Sequence, residues 1–520
     1  MAHVVLINPR FEVSFWGQEY VLPFMGKRAV SPALALPLLA ALTPRSHSVT
    51  IIDENVDSID FDAIASADIV GVTGMSVQRL RMREILAELN RRGSFTVVGG
   101  PWVSANESYF EDLADVIFVG EADDSWPRFL AEWQNGVHST RYEQHERTDM
   151  RKLPTPRFDL LKMEHYLCGT VQISRGCPYR CDFCDIIAIF GRKPRLKTAR
   201  QVIDELEALR QQGMRSVFIV DDNFIGNKKQ IKILLEELIK YQKKYAYAFR
   251  FNTQASLDLS EEVQLMQLMT EANFTRVFIG IESPNLAALG EASKLHNIDK
   301  GATLVDRVNR IQDAGLEVEA GMILGFDADT SAVFRAQVEF IREARIIVAM
   351  VGMLYAIPGT PLHTRLAADG RIDECDLSEY GTNVIPLQLS RDELRAGYIE
   401  VMNDIYNPVA FFDRLESLFL IGSLRFTRDA MFLKRKAPLI WLRRGTLDAV
   451  ATLVLLKRIL VNLPDKKLAR FYFWKVLRFA SKRPDPSFLL YIVATCAFHY
   501  HAYKLSENLV MDSGSMVNAI

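Results

Sequence analysis

The sequence predicts an α/β protein in three parts: a doubly wound parallel sheet, a partial (β/α)6 barrel of TIM type, and a mostly helical C-terminal region. Between Val4 and about Trp133, short and uniformly apolar runs alternate with stretches of helical spacing. After a polar interval the alternation starts again near Val171 and passes through six strand-like segments. Beyond about residue 366 it stops, and Phe, Leu, Lys and Arg mix with helical spacing from 408 to 505. Strands apolar along their whole length are covered on both faces, which is the condition of a parallel sheet with helices on each side.

In the first series Val4–Ile7, Val49–Ile52, Ile69–Val72, Phe95–Val98 and Val116–Val119 read as strands, with helical spacing over Ala33–Leu42, Val77–Arg91 and Ser125–Trp133. Ligands of such sheets sit beyond the carboxyl ends of the strands, a rim that here holds Thr73–Ser76, Gly99-Gly-Pro101 and Gly120-Glu121. The stretch 134–165, with Gly136, Pro154 and Pro156, reads as a connection. The expected boundaries are therefore 1–140, a linker over 141–165, a barrel over 166–365 and a helical domain over 366–520. Barrel strands are expected at Val171–Ser174, Ser216–Val220, Phe249–Thr253, Arg276–Ile281, Glu317–Leu324 and Ile347–Ala356, separated by helices over 198–212, 228–243, 261–272, 299–314 and 330–345. A barrel of this kind carries its active site at the carboxyl ends of its strands.

Composition excludes disordered, collagenous and low-complexity classes: of 520 residues 49% are hydrophobic and 24% charged. The N-terminus lacks the basic start and apolar core of a secretory signal, and no apolar run approaches the ~18 residues of a spanning helix. A cytoplasmic protein with reduced thiols is the expectation. Six cysteines are too few for a disulfide scaffold, so their spacing decides their reading.

Three of them fall in Ser174-Arg-Gly-Cys177-Pro-Tyr-Arg-Cys181-Asp-Phe-Cys184, a C-x3-C-x2-C spacing directly after the first barrel strand. A loop there can wrap three thiolates around a metal centre, and thiolates favour zinc or iron–sulfur. A structural zinc needs a fourth ligand, for which Cys168 is the nearby candidate. Cys375, in an acidic segment expected to be exposed, and Cys496, in an apolar helical one, lack ligand spacing and read as ordinary thiols. At other strand ends lie Val220-Asp-Asp-Asn-Phe224 and Ile279-Gly-Ile-Glu-Ser283. Asp222 or Asn223 also suits a helix N-cap, and Glu282 also suits a structural ion pair.

The cysteine spacing on this fold resembles the radical S-adenosylmethionine (SAM) superfamily. The resemblance implies a [4Fe–4S] cluster on Cys177, Cys181 and Cys184 with one iron open to SAM, whose reductive cleavage gives a 5′-deoxyadenosyl radical. It also places Phe183, Asp222, Asn223, Gln254, Glu282 and Ser283 around SAM, and gives backbone contacts to adenine at Gly321–Gly325 and Ala356–Leu362. A doubly wound domain ahead of such a barrel resembles the Rossmann-like cobalamin-binding domains of this superfamily. That implies cobalamin contacts at Thr73, Ser76, Gly99, Gly100, Pro101, Gly120 and Glu121, against the alternative of a degenerate domain that only packs on the barrel. The Asp-x-His-x-x-Gly sequence that ligates cobalt elsewhere is absent, so a protein histidine on cobalt is not expected.

Asn8-Pro-Arg-Phe11, Phe15-Trp16, Phe24-Met-Gly-Lys27, Cys184-Asp-Ile-Ile187, Phe190-Gly-Arg192 and Asp221–Asn227 resemble a lipid-associated branch that includes hopanoid 2-methyltransferases. The resemblance implies methylation of an unactivated carbon of a hydrophobic substrate, with methylcobalamin as methyl carrier and flavodoxin or ferredoxin as electron donor. Its alternatives are cyclisation or carbon–carbon coupling without methyl transfer, and a non-catalytic cobalamin or redox sensor. Residues 407–520 hold 18 Lys/Arg and 8 Asp/Glu, so the overall net charge of −2 is the sum of +10 there and −12 over 1–406. Basic residues beside Trp, Phe and Leu suit peripheral contact with the inner face of a membrane, or else a helical cap with a solvated basic face. Nucleic acid is not an expected partner, since no binding module accompanies the basic residues.

Overall fold

The structure, a computed structural model, describes residues 1–298, 301–373, 381–422, 424–426 and 428–511. Cys375 and the stretch from Asp512 onward lie outside the described residues.

The first sheet contains β1 (His3–Asn8), β2 (Ser48–Asp53), β3 (Ile69–Thr73), β4 (Thr96–Gly99), β5 (Val116–Val119) and β6 (Arg141–Glu143). Their order is β2-β1-β3-β4-β5-β6, and every pairing is parallel. Strand alternation sends Val5, Ile7, Val70 and Val72 to the face covered by helix Arg79–Arg91. Val4, Leu6 and Ile69 go to the other, under helices Ala35–Leu42 and Ser125–Gln134. The doubly wound expectation is met, and the order reverses between β1 and β3, the kind of switch point beyond whose carboxyl ends such sheets bind ligands. β6 falls inside the stretch expected to be a linker. Arg141 and Glu143 make it look polar, but Tyr142 is buried and its ring stacks 5.3 Å from Phe118. This is an edge strand, polar on its open side.

The second sheet contains β7 (Gly169–Val171), β10 (Ser216–Ile219), β11 (Arg250–Ala255), β12 (Phe274–Glu282), β13 (Glu317–Leu324) and β14 (Ala349–Met353). Its order is β14-β13-β12-β11-β10-β7, all parallel and strictly consecutive, which is a six-stranded partial barrel. Helices Ala199–Gln211, Lys228–Lys244, Val263–Glu271, Leu304–Asp313 and Ala332–Glu343 cover its outside. The fourth starts later than expected because Thr303 caps it with Asp306 in a capping box. The first barrel strand is shorter than expected: after Val171 the chain leaves the sheet, and Ser174–Arg175 (β8) pairs antiparallel with Arg195–Leu196 (β9).

The C-terminal region is helical over Arg391–Tyr406, Pro408–Glu416, Arg428–Lys436, Pro438–Asn462, Lys466–Lys482 and Pro486–Met511. The last helix joins all three parts. His501 Nε2 lies 2.8 Å from the Ser14 carbonyl, Phe498 meets Phe15 edge-on, and the Tyr491 hydroxyl donates to Glu317 at the start of β13 at 2.8 Å. Cys496 is buried there among apolar neighbours. Among the described residues no helix is long and apolar enough to cross a membrane.

Burial, with Glu319 beside it, pushes the Glu317 carboxyl up from 4.5 to about 7. The unfolded chain gives up this proton above pH 4.5, whereas the folded protein keeps it to about 7. This contribution to stability is therefore complete below pH 4.5 and is lost as pH rises through 7. Glu317→Gln keeps an acceptor for Tyr491. It is expected to flatten the loss over that window by on the order of 3 kcal/mol, read from urea unfolding at a series of pH values.

Candidate active site

The cysteine loop is built by replacing strand pairing with side-chain acceptors. Asp221, buried at the end of β10, accepts from the Ile173 amide at 2.7 Å, the Ser174 amide at 3.0 Å and the Ser174 hydroxyl at 2.7 Å. These bonds lift the chain off the barrel and start the β8–β9 ribbon. Gly176 then turns with φ +99°, and a Cβ there would stand 2.9 Å from the Gly191 carbonyl oxygen, so no other residue fits without backbone movement. Further on, the Asp182 amide donates to Ala292 at 3.2 Å, and the Leu362 amide donates to Asp182 at 2.9 Å. The loop is thereby pinned to the barrel at both ends.

All three thiols are pushed up by burial, Cys181 to about 11 and Cys184 to about 12. Each of Cys181 and Cys184 also feels the Cys177 thiol, so the three share one electrostatic site. Thiols in such a place stay protonated until a metal centre displaces the protons. Among the described residues no group of three or more His, Cys, Asp and Glu stands close enough to hold a single metal ion. The donor set suits a cluster, in which each thiolate binds a different iron, better than a zinc ion. Cys168, the candidate fourth zinc ligand, is buried with its Sγ 3.4 Å from the Val30 carbonyl and under the influence of Arg276. It belongs to the base of the barrel.

Around the loop stand the strand-end residues singled out from the sequence. Asp222 accepts from the Gly176 amide at 2.6 Å, and burial pushes its carboxyl up to about 6. Asn223 donates to Ser256 Oγ at 3.0 Å, with the Cys177 sulfur 4.0 Å away. Neither caps the next helix, because Asn227 does so through the Gln230 amide. Gln254, half-buried at the end of β11, accepts from the Phe224 amide at 2.9 Å through its carbonyl. Phe183 packs on Phe326, ring centroids 6.5 Å apart, in a small apolar cluster that includes Ile323 and Ala356. Ser283 is buried, and its hydroxyl accepts from the Asn285 amide at 3.1 Å.

Glu282 makes the ion pair that its position also suited. It sits at φ +67°, where β12 slips register against β13, and this strained turn aims its carboxylate at the ammonium of Lys294, with which it makes a buried ion pair. Lys294 lies close enough to Cys181 and Cys184 to interact with both, and 5.8 Å from the Phe183 ring centroid. Sequence reasoning missed it, since nothing in Ala292-Ser-Lys-Leu marks a lysine that folds back on a strand end.

On the first sheet, the switch-point loop after β3 is organised by Gln78, another residue not singled out. It is buried, accepts from the Met75 amide at 3.0 Å and donates to Asn8 Oδ1 at 3.0 Å. Thr73 and Ser76 border this loop half-buried. Gly99 ends β4, while Gly100 at φ +116° brings the chain so close that a Cβ would meet Thr73 Oγ1 at 2.5 Å. Pro101 is exposed at the start of the short helix Pro101–Ala105, and Gly120 turns with φ +81°.

Glu121 follows β5 on the same rim. Its side chain is buried and occupied by Arg175 at 2.8 Å, Arg195 at 3.0 Å and the Thr148 amide at 3.0 Å. Asp123 pairs with Arg175 as well. These charges clamp the end of β5 to the ribbon that carries the cysteine loop, so the carboxyl-terminal rims of the two sheets meet.

The fold and this site define a radical SAM protein: residues 171–359 match the radical SAM superfamily, and residues 360–513 match a domain of unknown function (DUF4070). The chain is 34% identical to an uncharacterized methyltransferase of Synechocystis sp., over 99% of this chain and 94% of that protein. It is 32% identical to the hopanoid C-2 methylase of Rhodopseudomonas palustris, over 96% of this chain and 93% of the relative. Among solved structures, the cobalamin-dependent radical enzyme OxsB aligns with a TM-score of 0.61 at 16% identity, over 98% of this chain and 80% of that one. The methyltransferase TsrM of Kitasatospora setae aligns at 0.58 with 18% identity, over 71% and 75%. The chain belongs to the radical SAM superfamily, in the methyltransferase branch that holds the hopanoid C-2 methylase.

Proposed function

We propose that this enzyme methylates an unactivated carbon of a hydrophobic substrate of hopanoid or similar lipid type, with cobalamin as methyl carrier. The reading is carried by one observation: near-complete coverage by a hopanoid methylase relative, in a chain whose two strand-end rims are clamped face to face. When bound, cluster, SAM and cobalamin supply reductive cleavage, hydrogen abstraction and a transferable methyl group. Cys177, Cys181 and Cys184 hold the cluster. Asp222, Asn223, Gln254 and Ser283 surround SAM, and Phe183 packs near its adenine. Thr73, Ser76, Gly99, Gly100, Pro101 and Gly120 border the corrin. Glu121 acts from behind, by holding the two rims together.

The barrel interior suits an apolar substrate. Trp16, 38% exposed, reaches in from the loop after β1, with its ring T-packed on Phe278 at 5.4 Å and its Nε1 3.0 Å from Met350 Sδ. Gly280 and Gly321 flank Phe278 and keep the wall low. A donor of flavodoxin or ferredoxin type supplies the electrons.

The reconstituted enzyme, given SAM, reductant, cobalamin and a hopanoid, is expected to form S-adenosylhomocysteine and 5′-deoxyadenosine in equal amounts. Deoxyadenosine alone, with a ring-closed or coupled product, contradicts methyl transfer.

A further inference from the structure

Helix Pro438–Asn462 is apolar on both sides. Its inner face, with Leu455 and Ile459, is buried against the core that includes the last helix. On the outer face Leu439, Leu442, Val450, Leu453 and Val461 are 81%, 56%, 54%, 67% and 61% exposed. These positions are spaced alternately three and eight residues apart, which at about 100° per residue keeps them on one side of a helix about 37 Å long. A surface helix ordinarily presents charge on that side, and an apolar stripe of this length, interrupted by Thr446 and Lys457, marks a contact.

Charge decides what the contact is. Lys434, Arg435, Lys436 and Arg443 are exposed near the stripe, and Lys457 is exposed within it. The helix's own acid, Asp448, is turned inward to accept from Ser487 Oγ at 2.5 Å. Arg444 and Arg458 are also tied inward, to the carbonyls of Tyr247 at 2.9 Å and Phe24 at 2.8 Å. The free charge around the stripe is thus entirely positive. Among the described residues no helix is long and apolar enough to cross a bilayer, so a lipid contact through this stripe would have the helix lying in the plane of the surface. The Phe24 contact also ties the helix to the loop that carries Trp16 into the barrel.

We infer that the outer stripe of Pro438–Asn462 docks this enzyme on an anionic lipid surface, with its leucines and valines in the acyl boundary and its lysines and arginines at the headgroups. The inference deepens the reading of a lipid substrate by naming where that substrate is met. It is tested without substrate or turnover, so either can fail alone.

The test is flotation of the full-length protein with vesicles of phosphatidylcholine alone or mixed in equal parts with phosphatidylglycerol. Binding is expected to the mixed vesicles, to weaken with salt, and to be near background on phosphatidylcholine. Lys434→Gln/Arg435→Gln/Lys436→Gln is expected to weaken it on the order of a hundredfold, at about 1 kcal/mol per charge. Leu442→Asp/Leu453→Asp is expected to abolish it. Leu442→Asn/Leu453→Asn, which adds no charge and leaves the inner face intact, should show the same direction. Equal binding by wild type and these variants overturns the inference, as does absence of binding to mixed vesicles. A wild-type dimer that the leucine variants dissociate, with no vesicle binding, also overturns it by assigning the stripe to a second copy of the chain.

Discussion

Cys181→Ala is expected to leave SAM uncleaved, with 5′-deoxyadenosine at background and iron and sulfide content well below four per chain. Cys181 is the middle donor of a loop whose course is fixed on both sides, by Asp221 and Gly176 before it and by Asp182 after it. Removing its sulfur leaves two thiol donors, and the pinned loop cannot rearrange to bring Cys168 from the base of the barrel. Overall stability should change little, because the half-buried loop adds little to the apolar core. The check is anaerobic reconstitution followed by metal analysis and product chromatography. Cleavage at the wild-type rate would remove these cysteines from the chemistry.

Lys294→Met is expected to show the next largest effect, about 3–5 kcal/mol of stability together with a severe loss of SAM cleavage. The change leaves the Glu282 carboxylate buried without its cation, on a strand end already turned through φ +67°. It also takes a positive charge away from Cys181 and Cys184, where thiolates must form. Glu282→Gln keeps an acceptor of similar shape and isolates the second role. If Glu282 acts only by positioning Lys294, the variant retains the wild-type KM for SAM and lowers kcat. If it touches SAM directly, KM rises. Urea unfolding and SAM-dependent kinetics on the same preparations distinguish these outcomes.

Most of the two sheets was legible in the sequence because parallel strands covered on both faces are apolar at every position, as in Val4–Ile7 and Val116–Val119. β6 was not, since an edge strand shows apolar character on one side only and Tyr142 alone carries it. The early end of β7 depends on Asp221, fifty residues downstream, taking amides that a neighbouring strand would otherwise take. No local pattern announces such a substitution. The cysteine loop was legible from its spacing, whereas Lys294, Gln78 and Arg175 were not, because their partners are set by tertiary contact. Glu121 shows the same limit: its place on the rim was legible, but its pairing with Arg175 and Arg195 was not. Helical spacing over 408–505 announced helices without bounding Pro438–Asn462, and with apolar residues on both of its faces it could not tell the buried side from the open one.

The central claim, methyl transfer to a lipid carbon, is tested most directly by mass spectrometry of lipids from cells with and without this protein. The account predicts that one hopanoid or related class becomes heavier by a single methyl group only when the protein is present, and that the Cys181→Ala form fails to restore it. An unchanged lipid profile, or a product that has lost hydrogens without gaining carbon, would contradict it.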